Sequence, residues 1–367
     1  MIVQQFQIFF DNPHATYYAG QMVTGKLTAK ILLPTRIRGI ELNFHGEAKV
    51  EWEKTKQHRN AEGNIETVSI PHSANELYFE NSFYILGGPA CDMLLQAGDH
   101  MYNFSMQLPT ILPSSFEGRY GSVRYSLQAS LICLGQNNHH AKVYFTILTE
   151  LDLNQVVGVR DPVQVVKDKF LCCCCCKSGP ITAVVSMPAS GFVPGQQIPV
   201  TVEVDNVTNK TLSSVMCSLQ KVVVFTTVRP SKESRVDTEK VCQLVLGGVK
   251  PNDSSVWQER MILPVLPPSV LQHCNIIDIN YCLVVEVRVP GLHHNLSVSI
   301  PITVGTVPLR SYWPPNLPTA PPSVPPHANL PPPSYEECIF RPGGGSDDRH
   351  NASANSAFMP RYPTYHF

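Results

Sequence analysis

Along most of this chain, apolar and polar residues alternate with a period of two. In 122-SVRYSLQASLIC-133, Val123, Tyr125, Leu127, Ala129 and Leu131 share one side, while Ser122, Arg124, Ser126, Gln128 and Ser130 share the other. That is the pattern of a half-buried antiparallel strand. The stretches 200-VTVEVD-205 and 285-VEVRV-289 alternate likewise, and 298-VSIPITV-304 keeps its apolar row at even positions. Asp11-Asn12-Pro13, Ala19-Gly20, Gly87-Gly88-Pro89, Asp205-Asn206, Gly247-Gly248 and Pro290-Gly291 punctuate the runs as turns, and no stretch sustains a long helical period. Short strands with frequent turns predict antiparallel β-sandwiches, and the chain is too long for one.

An internal repeat supports two. The segment 19-AGQMVTGKLTAKI-31 resembles 194-PGQQIPVTVEVDN-206, and 108-LPTILPSS-115 resembles 263-LPVLPPSV-270. Each Leu-Pro segment precedes a strand with Tyr-x-Leu, at Tyr125 and Leu127 and again at Tyr281 and Leu283. The offset is about 175 residues for the first match and near 155 for the others, as expected if the first copy carries a longer insertion. The polar, weakly periodic 55-TKQHRNAEGNIETVSIPHSANE-76 is the expected insertion, a long hairpin loop. The expected layout is a first sandwich over 1–165, a Cys-rich linker over 166–180, a second sandwich over 181–307 and a disordered Pro-rich tail over 308–367. That tail holds many of the 32 prolines and the Gly343-Gly344-Gly345 run, and it offers too little apolar area to order itself.

Composition changes this picture in three ways. Of 367 residues 43% are hydrophobic, enough for two cores. The formal net charge of -1 supplies no general attraction to nucleic acid, which is not expected as a partner. Among the 12 cysteines, Cys172, Cys173, Cys174, Cys175 and Cys176 are consecutive and cannot all find separate bridging partners, which predicts a reducing compartment. Without a basic leader or a long apolar run, the chain is expected in the cytoplasm, with the Asn-x-Ser/Thr triplets at Asn103, Asn206, Asn209, Asn252, Asn295 and Asn351 unused. No Gly-rich phosphate loop, Gly-x-Ser-x-Gly, His-Glu-x-x-His or distinctive carboxylate pair occurs, and His139-His140 and His293-His294 read as turn histidines. An enzyme, a cofactor and a metal site are therefore not expected.

The tail carries one stiff motif, 330-LPPPSYEECI-339. Pro331, Pro332 and Pro333 fix φ near the polyproline II value and lack backbone donors, so the segment presents a ridge followed by the Tyr335 ring. Such a preformed ridge loses little entropy when a partner grips it.

The residues together resemble the α-arrestins, the arrestin-domain-containing adaptor proteins. The resemblance rests on 108-LPTILPSSFEGRYGSVRY-125, the Cys run leading into 178-SGPI-181, 191-GFVPGQQI-198, 263-LPVLPPSVLQHCNIIDINYCL-283 and the Pro-Pro-x-Tyr tail. It implies two arrestin-like, immunoglobulin-like sandwiches and a tail that recruits WW domains of HECT-type ubiquitin ligases through Pro332, Pro333 and Tyr335. It also implies membrane-protein cargo such as receptors and transporters, ubiquitination, endocytosis and endosomal sorting, and recruitment to the plasma membrane and endosomes. Members of this family usually carry two such motifs; here 314-PPNL-317 and 321-PPSV-324 lack the tyrosine, and 362-YPTY-365 has one proline. Tyr365 is the best candidate for a weak second contact. For the cysteine run three readings stay open: reversible palmitoylation beside Lys167, Lys169 and Lys177 with peripheral membrane association, zinc binding, and plain thiols. Rival functions are a retromer-like arrestin-fold sorting subunit, which should lack the tail motif, and a thioredoxin-type redox partner. The latter would favour a cysteine just before Trp257, where Asp253, Ser254 and Ser255 stand.

Overall fold

A computed structural model describes residues 3–59, 65–173, 176–291, 293–310, 334–337 and 358–365, with the backbone alone described at 58–59, 172–173, 176–178 and 334–337. No α-helix occurs among the described residues. The first domain runs through β1 (Val3–Phe10), β2 (Thr16–Tyr18), β3 (Met22–Ile31), β4 (Thr35–Arg59), β5 (Ile65–Gly87), β6 (Met93–Leu95), β7 (Gly98–Gln107), β8 (Phe116–Glu117), β9 (Gly121–Cys133) and β10 (His139–Leu148). One sheet has the order β1-β3-β7; the other has the order β2-β10-β9-β4-β5, with β6 beside β4 and β8 beside β9. The second domain comprises β11 (Val163–Cys173), β12 (Cys176–Met187), β13 (Gly191–Phe192), β14 (Gln197–Asn206), β15 (Leu212–Thr227), β16 (Glu233–Val249), β17 (Asp253–Ile262), β18 (Ile277–Arg288) and β19 (Leu296–Val304). Its sheets are β11-β12-β14-β17 and β13-β19-β18-β15-β16.

The alternation in sequence is the alternation in burial. Val123, Tyr125, Leu127, Ala129 and Leu131 are all in the core, as are Val200, Val202 and Val204, Val285, Val287 and Val289, and the even-numbered row of β19. The repeat is equally physical. The Tyr125 hydroxyl donates to the Pro113 carbonyl at 2.7 Å, and the Tyr281 hydroxyl donates to the Pro267 carbonyl at 2.8 Å. Ser115 and Ser269 each pin the opposite strand twice: Ile147 N donates to Ser115 Oγ and Val304 N to Ser269 Oγ, while each serine amide donates back to the same residue's carbonyl. In both domains a short strand pairs in parallel with the last strand, β2 with β10 and β13 with β19.

Three expectations are corrected. The described residues of the polar stretch 55–76 are not a loop: β4 and β5 stay paired from Gly39↔Gly87 out to Arg59↔Ile65, and His72 and Ala74 are buried. The run 166–180 is not a linker either. Its described residues lie in a hairpin of the second domain, in which Val163 opposes Met187 and Cys173 opposes Cys176. Lys167, Asp168 and Lys169 hid this strand because β11 is a sheet edge, where charges discourage association with other strands. Third, part of the expected disordered tail is packed, with Pro360, Tyr362, Pro363, Thr364 and Tyr365 buried.

Candidate functional site, a tail segment held at the domain junction

The two sandwiches meet on 108-LPTILPSSFEGRYGSVRY-125. Phe116 and Phe225 of β15 are fully buried with ring centroids 6.3 Å apart, and Tyr120 meets Phe225 edge-on at 5.7 Å. Gly118 has no room for a side chain, since a Cβ would lie 2.6 Å from Phe116 and 2.8 Å from Phe225. Glu117, at the start of this turn, accepts two hydrogen bonds from Arg124 at 2.6 and 2.8 Å. Burial holds its carboxyl above the usual range even so, with Arg124 pulling the other way. Burial likewise pushes the Tyr125 hydroxyl well up. The long β4–β5 hairpin adds a second bridge: the Arg235 guanidinium sits 5.1 Å from the Trp52 ring centre and 5.2 Å from that of Tyr120, and Lys54 Nζ pairs with Glu233 at 2.9 Å. A third bridge runs through Leu151 and Thr306, where Leu151 N donates to Thr306 Oγ1 at 2.8 Å and Thr306 N to the Leu151 carbonyl at 3.0 Å.

Residues 358–365 lie across this junction and touch both domains. On the first domain, the Phe358 ring centroid lies 5.3 Å from that of Tyr144 with the rings tilted by 33°, Arg361 N donates to Thr146 Oγ1 at 3.2 Å, and the Tyr362 hydroxyl donates to the Ser115 carbonyl at 2.9 Å. On the second, Tyr365 N donates to the Pro194 carbonyl at 3.0 Å and its hydroxyl to the Thr306 carbonyl at 2.6 Å. Tyr362 is 1% exposed and Tyr365 7%, so both rings are core residues rather than surface ornaments. The Tyr365 backbone passes against Gly195, whose φ is +91° and whose hypothetical Cβ would fall 1.9 Å from the Tyr365 carbonyl oxygen.

Residues Arg361–Thr364 form a strand, β21, that pairs antiparallel with a second tail strand, β20 (Ser334–Glu337). In its register Ser334 opposes Thr364, Tyr335 opposes Pro363, Glu336 opposes Tyr362 and Glu337 opposes Arg361. Of the predicted ligase-binding residues, Tyr335 is thus placed by its backbone, while Pro332 and Pro333 lie outside the described residues. Tyr365 is buried in the core rather than presented to a partner. Of the cysteine run, Cys172, Cys173 and Cys176 lie at the end of the β11–β12 hairpin, and Cys174 and Cys175 lie outside the described residues. Sequence reasoning singled out the loops around Ser115 and Gly195 as family signatures but not as a receiving site. The available signal was the aromatic spacing of Phe358, Tyr362 and Tyr365 in an otherwise Ser-, Asn- and Gly-rich tail.

Comparison with known proteins agrees with this architecture. The family Arrestin (or S-antigen), N-terminal domain, matches residues 6–154, and Arrestin (or S-antigen), C-terminal domain, matches residues 177–309. The chain is 28% identical over 312 residues to arrestin domain-containing protein 17 of Caenorhabditis elegans, covering 84% of this chain and 72% of that protein. It is 27% identical over 306 residues to arrestin domain-containing protein 1 of Mus musculus, covering 83% of this chain and 65% of the relative, just under two thirds of its length. Arrestin domain-containing protein 4 of Mus musculus is 25% identical over 312 residues. The chain belongs to the α-arrestin family of arrestin-domain-containing proteins.

Proposed function

We propose that this protein is a non-enzymatic trafficking adaptor that joins membrane-protein cargo to WW-domain HECT-type ubiquitin ligases. The observation that carries this reading is the pairing of two arrestin sandwiches with a Pro332-Pro333-Ser334-Tyr335 tetrad in a Pro-rich extension. A WW groove takes a proline ridge between aromatic rings and the tyrosine in a neighbouring pocket, and a polyproline II segment arrives with its backbone entropy already low. The sandwiches engage receptors or transporters, the ligase ubiquitinates them, and endocytosis and endosomal sorting follow. The adaptor works in the cytoplasm and is recruited to the plasma membrane and endosomes. The tetrad argues against a retromer-like sorting subunit, and Asp253, Ser254 and Ser255 before Trp257 argue against a thioredoxin-type partner. The test is capture by a panel of WW domains: wild type binds and Tyr335→Ala loses at least about tenfold in affinity. Unchanged capture by the variant sinks the assignment.

Palmitoylation of Cys172, Cys173, Cys174, Cys175 and Cys176 is part of the same reading. It is favoured by the hairpin, which holds the ends of the run together and puts the exposed Phe170 alongside. Acyl exchange on wild type beside a Cys-to-Ser block of these five residues should give signal only from the former.

A further inference from the structure

The tail segment at the domain junction has the marks of a built site. It is contacted by carbonyls of both domains, it buries two tyrosines, and a glycine keeps clear the volume its backbone occupies. Its outer side is occupied too, because β20 lies along it and contains the tyrosine of the proline-tyrosine motif. A residue cannot be held in an antiparallel ladder against β21 and also be gripped as a free ridge by another protein. We infer that the junction is a peptide site selective for a Tyr-Pro-Thr-Tyr segment, that residues 361–365 fill it in cis, and that while they fill it β21 sequesters Ser334–Glu337 from WW domains. The masking half rests on the ligase reading above; the docking half does not.

The chemistry of selection is specific. Tyr362 and Tyr365 are three residues apart in an extended chain, and their hydroxyls reach carbonyls of different domains, Ser115 in the first and Thr306 in the second. Pro363 between them has no amide to leave unpaired. Phenylalanine at either position would leave a buried carbonyl without its donor, and a charged side chain would have to be desolvated. Because the segment is part of the same chain as the body, docking is intramolecular and competes at an effective concentration set by the length of the intervening chain. The apparent WW affinity is then reduced by the fraction of molecules in which the tail is undocked.

Two readouts on the full-length chain separate the halves. The Arg361–Tyr362 bond is a trypsin site that docking protects, so it should be cut at least about tenfold faster in Tyr365→Ala and in Gly195→Ala than in wild type. Gly195→Ala leaves the tail sequence untouched, and Tyr365→Ala leaves the body untouched, so agreement between them excludes a folding artefact. Wild-type cleavage at Arg361 as fast as in both variants overturns docking. For masking, WW-domain titration of wild type should be at least about tenfold weaker than titration of a 326–367 peptide, with both variants restored toward the peptide. Equal affinity of wild type and peptide, with Arg361 protected, overturns masking while docking stands. A peptide that does not bind WW domains overturns the ligase reading and masking together, and the trypsin result still decides docking. A weak second WW contact at Tyr365 predicts the opposite sign, weaker binding by Tyr365→Ala.

Discussion

Glu117 shows how a single residue records the compromise at the domain junction. Its carboxylate needs Arg124 to hold β8 against β9, yet it is sheltered enough that burial outweighs the partner and raises its pKa above the ordinary value of 4.5. The folded chain therefore keeps a proton on Glu117 at a pH where the unfolded chain has released it. Its contribution to stability is complete below the ordinary value and declines as pH rises through the raised one. Melting wild type and Glu117→Gln side by side from about pH 4 to pH 7 should show the wild type losing ground relative to the variant. A relative gain would mean that Arg124 dominates. Nothing in the sequence announced this balance, because Glu117 and Arg124 are an ordinary surface-type pair until Phe116 and Phe225 close over the turn.

At the scale of elements, the reach of the β4–β5 hairpin explains what the sequence showed and what it hid. Alternation was legible wherever one face is buried and the other wet, as in β9, β14, β18 and β19. It failed in 55–76 and in β11, where the described side chains are largely solvated on both faces and charges replace the apolar row. Length and pairing there are set by the partner strand instead. Two of the three bridges between domains should differ in worth. Lys54 and Glu233 are exposed side chains, so water screens the pair and Lys54→Ala should cost little. Phe225 is fully buried among Phe116, Tyr120 and Gly118, so Phe225→Ala should cost about 3–5 kcal/mol. Chemical denaturation of both variants checks the ranking; a larger loss from Lys54→Ala would contradict it.

Over the whole molecule, the tandem architecture was readable because the repeat preserves hydrogen-bonding groups, not merely apolarity. The tyrosine-to-proline and serine-to-strand contacts recur at equivalent places in both sandwiches. The candidate site was only half readable. The proline-tyrosine motif stands out by composition, whereas the docked segment was averaged away within a Pro-, Ser- and Asn-rich tail. Its three aromatic residues count for little in a composition and for much in a cleft. Gly20 and Gly195, matched by the repeat, then part company in an instructive way. Both have positive φ, but only beside Gly195 does another stretch of chain occupy the missing side chain's volume; the nearest atom to a Cβ on Gly20 is a Thr110 methyl 3.4 Å away. A relative that has dispensed with the docked tyrosines is thus freed from the steric ban while the left-handed backbone remains, and asparagine becomes admissible there. Tallying that position against Tyr-x-x-Tyr tails across sequenced genomes would trace where in the lineage the tail first found its berth.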